Sequence, residues 1–353
     1  MKIAVVRNRN NLGVVSRFGR PSPEIYGRKS VQRVMNALRT HGHEVRAFEG
    51  DGSLVSELKQ FIPPLKDGRP GGLAFNMAYG IQGECRYTHV PAVLEMAGVP
   101  YTGSAPLGHA LSLDKVIAKQ LLVQTGLPTP AFRVLSDPRE DARGLRYPLI
   151  VKPRHESTSF GVRIVHDRET LADAVQNIIA EYHQQALVEE YIDGREVNIG
   201  ILGNHPLEVF TPVELDFGER ECRIETWADK FHKTTDEPQK RCPAPLGDSL
   251  VLELQRIAEA TFKATHCRDY ARIDVRIDTE GRPYVLEINS MASLGAGGSY
   301  VLGAQDRGYG FDALVSRIVD VAHARYFACA NPSAASADQI SPLNEAALSP
   351  CAA

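Results

Sequence analysis

Residues 270–289 read YARIDVRIDTEGRPYVLEIN, and this stretch decides the fold. Two runs rich in β-branched residues, Tyr270–Ile277 and Pro283–Ile288, flank a short polar turn, so we expect two neighbouring strands. Residues two apart along a strand lie on the same face of the sheet. The polar side chains that this rule places on one face of each strand are Arg272 with Asp274, and Glu287 with Asn289.

If these strands pair, an aspartate, a glutamate and an asparagine converge beside one guanidinium group. Carboxylate and amide oxygens suit Mg²⁺, which takes waters and phosphate oxygens as its other ligands. Arg272 between them would stabilise charge on a transferred phosphoryl group or on its acyl acceptor. The alternative is a surface hairpin with ordinary exposed charges, and this stretch alone leaves both interpretations open.

A second strand, Leu149–Lys152, leads into a loop of small polar residues that reads RHESTSFGV at 154–162. Backbone N–H groups and hydroxyls in such a loop, including those of Ser157 and Ser159, can hold phosphate, and Lys152 supplies a cation. The Walker A pattern G-x-x-x-x-G-K-[ST] is absent. A mobile hairpin between two strands is the alternative.

A third stretch, LVEEYIDGRE at 187–196, joins a strand to acidic residues. Its backbone could hold a purine base, and Glu196, seven residues after Glu189, could hold ribose hydroxyls. A solvated hairpin would have the same composition.

Composition excludes several classes of protein. Of the 353 residues, 43% are hydrophobic and 24% charged, so most of the chain can fold around a core, at about 100–200 residues per domain. The net charge of −3 predicts neither nucleic-acid nor membrane partners. The N-terminal apolar run Ile3–Val6 is too short for a signal peptide, and no run approaches the roughly 18 apolar residues of a membrane span.

The six cysteines form no CxxC pair and have no histidine at zinc-finger spacing. Free thiols in a reducing cytosol are expected, and the predicted location is therefore cytoplasmic.

Hydrophobic periodicity divides the chain into segments of different character. Strands at Lys2–Val6, Glu44–Phe48, Gly72–Asn76 and Val99–Tyr101 alternate with helices at Pro23–Thr40 and Glu84–Ala97, which predicts an open parallel α/β sheet. After helix Asp114–Thr125 come short strands around one helix, Arg168–His183, and then a third segment ending in helix Phe311–Tyr326. The expected units are a parallel α/β domain at 1–112, two α+β subdomains at 113–202 and 203–327, and a disordered tail at 328–353.

Taken in order, these stretches resemble the ATP-grasp superfamily and, more narrowly, the D-alanine–D-alanine ligases. Supporting blocks are GIQGE at 80–84, AGVPYTGS at 97–104, LDK at 113–115 and TGLPTP at 125–130. The resemblance covers about residues 1–325, and the agreement of spacing across the blocks makes chance unlikely to explain it. It implies an ATP-grasp fold whose two α+β subdomains clasp a nucleotide.

The resemblance also implies roles for individual residues. Lys115 and Lys152 would contact ATP phosphates, with Ser157 and Ser159 in the same loop. The adenine and ribose would be held by Glu189, Glu190, Tyr191, Ile192 and Glu196. Two Mg²⁺ ions, for which Mn²⁺ could substitute, would be bound by Asp274, Glu287 and Asn289. Arg272 would stabilise an acyl-phosphate step, Lys230 would approach the γ-phosphate from a mobile loop, and Glu24 would anchor the first substrate's amino group.

Departures from the family pattern fall at the substrate end. Tyr79 stands where the family has a histidine, and Phe231 where it has a loop tyrosine. The family's Glu–Ser–Tyr clamp therefore becomes Glu24, Thr158 and a phenyl ring that cannot hydrogen bond. The stretch SMASLGAGGS at 290–299 replaces a Pro-Gly-Met-Thr run, so Gly298 and Ser299 would approach the second substrate's carboxylate, one residue out of step.

The resemblance thus predicts an ATP-dependent carboxylate–amine ligase that joins amino acids through an acyl phosphate, with specificity altered from D-Ala-D-Ala. Its partners would be an amino acid or other carboxylate and an amine, and a homodimer is expected. The alternatives are a genuine D-alanine–D-alanine ligase of cell-wall synthesis and a nucleotide-binding protein without catalysis. A carboxylase partner would need a biotinyl attachment motif, and none is visible.

Overall fold

The computed structural model describes residues 1–9, 14–16, 24–221, 223–227, 229 and 237–327. The predicted tail at 328–353, Lys230 and Phe231 lie outside the described residues. Three sheets follow one another along the chain. None of the helices in the described ranges is long and apolar enough to cross a membrane.

The first sheet is parallel, with strand order β2-β1-β3, as the strand–helix alternation predicts. Its strands are β1 (Lys2–Arg7), β2 (Glu44–Glu49) and β3 (Gly72–Met77), and its helices are α1 (Arg28–Thr40), α2 (Leu54–Phe61) and α3 (His89–Met96). All six residues of β3 are buried, since helices cover both faces of a sheet of this kind.

Three local predictions for this segment were wrong. The helix expected from Pro23 begins at Arg28, and the helix expected from Glu84 begins as a 3₁₀ turn at Arg86–Thr88. The strand expected at Val99–Tyr101 is reduced to one bridge between Tyr101 and Ala74. A short apolar run can have strand propensity and still lack a neighbouring strand to pair with along its length. Whether it forms a strand therefore depends on tertiary pairing.

The second sheet is antiparallel with strand order β4-β7-β5-β6. It follows helices α4 (Pro106–Leu113) and α5 (Lys115–Gln124), and helix α6 packs on it through a buried Leu171 and Val175. Its elements are β4 (Phe132–Leu135), β5 (Leu149–Pro153), β6 (Arg163–Val165), α6 (Arg168–Tyr182) and β7 (Ala186–Glu190).

The third sheet has strand order β11-β10-β8-β12-β13, with β9 paired to β8. The strands are β8 (Gly194–Gly203), β9 (Leu207–Val209), β10 (Val213–Asp216), β11 (Gln239–Arg241), β12 (Tyr270–Asp278) and β13 (Pro283–Asn289). The helices are α7 (Asp248–Ala264), α8 (Ser299–Asp306) and α9 (Phe311–Phe327).

The boundary expected between residues 202 and 203 does not coincide with a sheet boundary. Strand β8 pairs along its whole length with β12, so it belongs to the third sheet. Ala118 and Leu122 of α5 also pack in the core formed by that sheet and α7. The chain thus crosses from the second sheet to the third between β7, which ends at Glu190, and β8, which begins at Gly194.

Candidate functional site

Strands β12 and β13 bring the four side chains of the opening stretch together. Asp274 lies opposite Glu287 and Arg272 lies opposite Asn289, with an irregularity in register directly after Asp274. All four residues line a single cavity of about 390 Å³. The pairing expected from sequence is therefore present.

Arg272 and Asp274 form a two-point ion pair within this group. Arg272 Nε and Nη2 each donate to the Asp274 carboxylate at 2.7 Å, and Asn289 Nδ2 donates to Asp274 Oδ2 at 2.9 Å. Burial would lower the pKa of Arg272, but the Asp274 carboxylate outweighs it and raises that pKa above its ordinary value. Arg272 is a permanent cation in the cavity wall.

The oxygen donors here fit a divalent cation of the Mg²⁺ type. Two carboxylates face each other on adjacent strands, and Asn289 donates through its amide nitrogen, which leaves its amide oxygen as the ligand atom. Across the described ranges there is no cluster of three or more His, Cys, Asp or Glu side chains arranged to hold a metal. An amide oxygen and substrate oxygens would therefore complete the coordination.

Lys115 and Lys152 approach the same cavity from two different elements. Lys115 opens helix α5, lies 4.0 Å from Glu287 Oε2 and donates to the carbonyl oxygen of Glu156. Burial lowers the pKa of Lys115, and the Glu287 carboxylate acts in the opposite direction. Lys152 comes from β5, and its Nζ lies 2.7 Å from Glu189 Oε2. The cavity wall thus presents two buried ammonium groups.

Glu189 forms ion pairs with two lysines, which the sequence did not indicate. It is 2% exposed, and its two carboxylate oxygens meet Lys119 at 2.8 Å and Lys152 at 2.7 Å. Burial would raise the pKa of Glu189, but the two lysines outweigh it and hold the pKa below its ordinary value. An adenine amino group, its expected partner, would share this carboxylate with two lysines.

The segment expected to hold the base lines the cavity next to Glu189. Glu190, Tyr191 and Ile192 are all part of the wall, and so is Glu196 at the start of β8. The Glu190 carboxylate, however, pairs with Arg146 at 2.8 Å. Its contribution to a ligand would therefore come from the backbone.

The cluster around Glu24 differs from the sequence prediction. Ser157 Oγ donates to Glu24 Oε2 at 2.5 Å, and the Tyr87 hydroxyl donates to the same oxygen. Thr158, the expected partner of Glu24, instead donates to the carbonyl oxygen of Ser157 at 2.7 Å. Thr158 has a left-handed backbone, with φ of 57°, a conformation that is uncommon for a β-branched residue.

Tyr79 belongs to a group of aromatic rings beside Glu24. It stacks on Tyr26 with ring centroids 5.0 Å apart and lies 5.4 Å from the Tyr87 ring. Burial raises the pKa of Tyr79 well above its ordinary value, so the phenol stays neutral. The wall that replaces the family's histidine is thus aromatic and uncharged.

Gly298 and Ser299 lie where helix α8 begins. Gly298 is its N-terminal cap, Ser299 is its first residue, and both line the cavity. Lys240, which sequence analysis did not single out, also lines the cavity and donates to the carbonyl oxygen of Gly297 at 3.1 Å.

The sequence analysis does not identify three further residues near this cavity. Arg276 continues the alternation of Arg272 and Asp274, so strand periodicity could have found it. Lys119 follows Lys115 by one helical turn, a spacing that also predicts a shared face. Tyr87 gave no local signal, since its contact with Glu24 spans 63 residues.

Every predicted site residue within the described ranges lines this one cavity. Lys230 lies outside them. Trp227, three residues before Lys230 in the chain, packs against Phe160 of the loop at 154–162, with ring centroids 6.1 Å apart. The segment before Lys230 therefore touches the loop that carries Ser157.

Comparisons with known proteins agree with this geometry. Residues 121–320 match the family model described as D-ala D-ala ligase C-terminus. The chain is 49% identical over 332 residues to "Uncharacterized protein y4sG" of Sinorhizobium fredii (strain NBRC 101917 / NGR234), covering 93% of this chain and 98% of the relative. It is 34% identical over 293 residues to a D-alanine--D-alanine ligase of Halorhodospira halophila (strain DSM 244 / SL1), covering 81% and 88%.

A solved structure shares the fold. The crystal structure of D-alanine--D-alanine ligase from Bacillus anthracis complexed with ATP superposes with a TM-score of 0.71 at 21% sequence identity. The match covers 91% of this chain and 96% of that chain.

Proposed function

Because this chain belongs to the D-alanine–D-alanine ligase family of ATP-grasp enzymes, we propose that it joins an amino acid or related carboxylate to an amine through an acyl phosphate. It is an ATP-dependent ligase that forms carbon–nitrogen bonds. The proposal extends to the choice of substrate, which we expect to differ from a pair of D-alanines.

One observation supports the proposal above the others. A single cavity of about 390 Å³ is lined by two buried lysines, an arginine held by an aspartate, and the oxygen donors of β12 and β13. Cations and a divalent-metal donor set in one wall are the groups that phosphoryl transfer requires. They also argue against a nucleotide-binding protein that has lost catalysis.

The chain's own groups divide the work of the reaction. Lys115 and Lys152 would bind the phosphates of ATP, and Arg272 would balance the negative charge that develops as the substrate carboxylate takes the γ-phosphoryl group. Mg²⁺, held by Asp274, Glu287 and Asn289, would neutralise charge on the transferring phosphate. The incoming amine would then attack the acyl carbon, and inorganic phosphate would leave.

The first substrate would be oriented by Glu24. Its carboxylate is fixed by hydroxyl groups of Ser157 and Tyr87, and an ammonium group is the partner that such a carboxylate attracts. Because acyl phosphates react with water, we expect the subdomain that contains the second sheet to close over the nucleotide during the reaction.

The aromatic wall supports an altered specificity. Tyr79 and Tyr26 stack beside Glu24 with ring centroids 5.0 Å apart. An uncharged aromatic wall therefore stands where the family has an imidazole, which supports a first substrate other than D-alanine. Genuine D-alanine–D-alanine ligation is the second candidate, favoured by the ligase of Halorhodospira halophila at 34% identity. Homodimer formation stays a prediction.

Phosphate release tests the proposal directly. Purified protein is given ATP, Mg²⁺ and either D-alanine or panels of L-, D- and non-protein amino acids, and products are identified by mass spectrometry. We expect amino-acid-dependent phosphate release with a dipeptide-like product, and a preferred substrate pair other than two D-alanines. Selective formation of D-Ala-D-Ala would overturn the altered specificity, and absence of nucleotide binding would overturn the ligase.

A matched pair of variants identifies the reacting site. Glu287→Gln removes a proposed metal ligand and should lower the rate by about 100-fold or more. Glu280→Gln makes the same chemical change in the exposed turn between the same two strands, where Glu280 pairs with Arg282 at 3.0 Å. The control variant should keep the full rate.

A further inference from the structure

Arg276 is a buried cation in the cavity wall beside Glu196. It follows Arg272 and Asp274 at two-residue spacing on β12, so it faces the same side of the sheet. It is 3% exposed, and it lines the cavity. Neither the opening sequence pattern nor the proposed chemistry assigns it a role.

Its hydrogen bonds join separate segments of the chain. Nη1 donates to Glu196 Oε2 at 3.4 Å and to the carbonyl oxygen of Arg223 at 2.6 Å. Nη2 donates to the carbonyl oxygen of Gly194 at 3.2 Å. This guanidinium group therefore connects the first residues of β8 with the segment at 223–227.

Two aromatic rings complete its surroundings. The guanidinium carbon lies 5.1 Å from the ring centre of Tyr191 and 5.9 Å from that of Phe217. These distances allow a cation–π attraction, which is strengthened where water is excluded. Tyr191 and Glu196 are among the residues proposed to hold the base and the ribose, and Arg276 contacts both.

Fold stability alone is a weak reason to bury this charge. Desolvating a guanidinium is costly unless its donors are fully paired. Here the carboxylate contact is long, and Nε has no acceptor among the residues that the structure describes. Incompletely paired charges of this kind are expected at functional sites.

We propose that Arg276 is a positioning residue that fixes Tyr191 and Glu196 for the base and ribose of the nucleotide. This inference rests on the proposed ATP site. The guanidinium binds the Glu196 carboxylate at the start of β8, and it lies over the Tyr191 ring in the connection between β7 and β8. The phosphate end of the site, with Lys115 and Lys152, does not contact Arg276.

The test separates the two ends of the nucleotide. Binding of ATP, 2′,3′-dideoxy-ATP and inorganic tripolyphosphate, each with Mg²⁺, is measured by calorimetry for the wild-type chain and for Arg276→Met. We expect ATP affinity to fall by about 10- to 100-fold, and the preference for ATP over the dideoxy nucleotide to shrink toward one. Tripolyphosphate affinity should stay within about twofold, since its binding uses other residues.

Two further variants make the result decisive. Arg276→Lys keeps the charge and should restore part of the ATP affinity, and it carries the same comparison if the methionine variant does not fold. Arg282→Met is the matched control, because Arg282 lies in the exposed turn after β12 and pairs with Asp278 at 2.8 Å. That variant should bind all three probes like the wild type.

The possible failures are distinguishable. If the wild-type chain binds no nucleotide, the proposed function falls. If the wild type binds ATP but Arg276→Met keeps the same affinity and the same ribose preference, the inference about Arg276 is overturned. An equal loss of ATP and tripolyphosphate affinity would also overturn it, because Arg276 would then act on the whole site.

Discussion

Asp114 combines two structural roles in one side chain at the entrance to helix α5. As the N-terminal cap it accepts hydrogen bonds from two backbone N–H groups of the first turn, at 3.0 and 3.2 Å. It also pairs with Arg154 Nη2 at 2.6 Å and with His155 Nε2 at 3.3 Å. Because Lys115 is the next residue and the first of the helix, these contacts fix its backbone position.

This geometry predicts an acid-dependent loss of stability. Burial would raise the pKa of Asp114, but hydrogen bonds from His155 and Arg154 outweigh it and hold the pKa below the ordinary value of 3.8. The folded-state pKa is thus lower than the unfolded one, so the stabilisation is complete above the unfolded value and is lost as pH falls through the folded value. Asp114→Asn should cost about 1–3 kcal/mol of unfolding free energy at neutral pH.

Urea unfolding across the acid range checks this prediction. The difference between the wild type and Asp114→Asn should be largest near neutrality and should narrow below pH 3.8. Asp167→Asn is the matched control, because Asp167 caps α6 on an exposed surface. Because asparagine caps helices about as well as aspartate does, this variant should keep close to wild-type stability at every pH. A wild-type advantage over Asp114→Asn that is the same at every pH would contradict the assignment.

At the scale of elements, β8 is the strand around which the third sheet is organised. It pairs with β9, β10 and β12, and its last seven residues are buried. A Cβ added to Gly200 would lie 2.7 Å from a ring carbon of Phe210 and 2.9 Å from one of Tyr300. Phe210 and Tyr300 are themselves buried and pack against each other as tilted rings with centroids 5.2 Å apart, so neither ring has room to withdraw.

Gly200→Ala should therefore destabilise the chain by about 1–3 kcal/mol through overpacking. The unfolding free energy from urea titration measures the effect. Gly310→Ala is a fitting control, because a Cβ there would meet nothing within 4 Å, and its change should stay within about 0.5 kcal/mol. If both variants are equally stable, the close packing described around β8 is incorrect.

At the scale of the whole molecule, a residue in the same segment as the first sheet contacts the loop at 154–162. Arg86, which is 3% exposed, donates from Nη1 to the carbonyl oxygen of His155 at 2.8 Å and from Nη2 to Ser157 Oγ at 3.3 Å. It also lies 3.8 Å from Glu156. The neighbouring Tyr87 meets Glu24. The loop at 154–162, which we propose binds phosphate, is thus positioned by a different part of the chain.

We predict that Arg86→Gln loosens residues 154–162. Loss of charged hydrogen bonds should lower the free energy of local opening by about 1.5–3 kcal/mol, which speeds amide hydrogen exchange there by at least about tenfold. Hydrogen–deuterium exchange with mass spectrometry measures the loop without any ligand.

Arg325→Gln is the matched control for this experiment. Arg325 also makes a buried ion pair, with Asp269 at 2.8 Å, and donates to the carbonyl oxygen of Tyr101 at 2.9 Å. In Arg325→Gln, amide exchange in residues 154–162 should not speed up more than exchange in the rest of the second sheet. Equal acceleration of the loop in both variants would mean that Arg86 stabilises the chain globally.

The sequence by itself determined the features that depend on local geometry. Two-residue alternation is a property of any strand, so the shared faces of Arg272 with Asp274, and of Glu287 with Asn289, followed before any fold was known. The parallel first sheet followed from strand–helix alternation for the same reason. Family resemblance then connected blocks that periodicity alone left separate.

Tertiary structure decided what depends on contacts between distant segments. Glu24 meets Ser157 across 133 residues and Tyr87 across 63, and no local pattern distinguishes Ser157 from the adjacent Thr158. Strand β8 joined the third sheet because its hydrogen-bond partners lie about 70–80 residues further along the chain. Propensity and spacing act over a few residues, whereas pairing and burial act across the whole chain, and only the folded molecule specifies the latter.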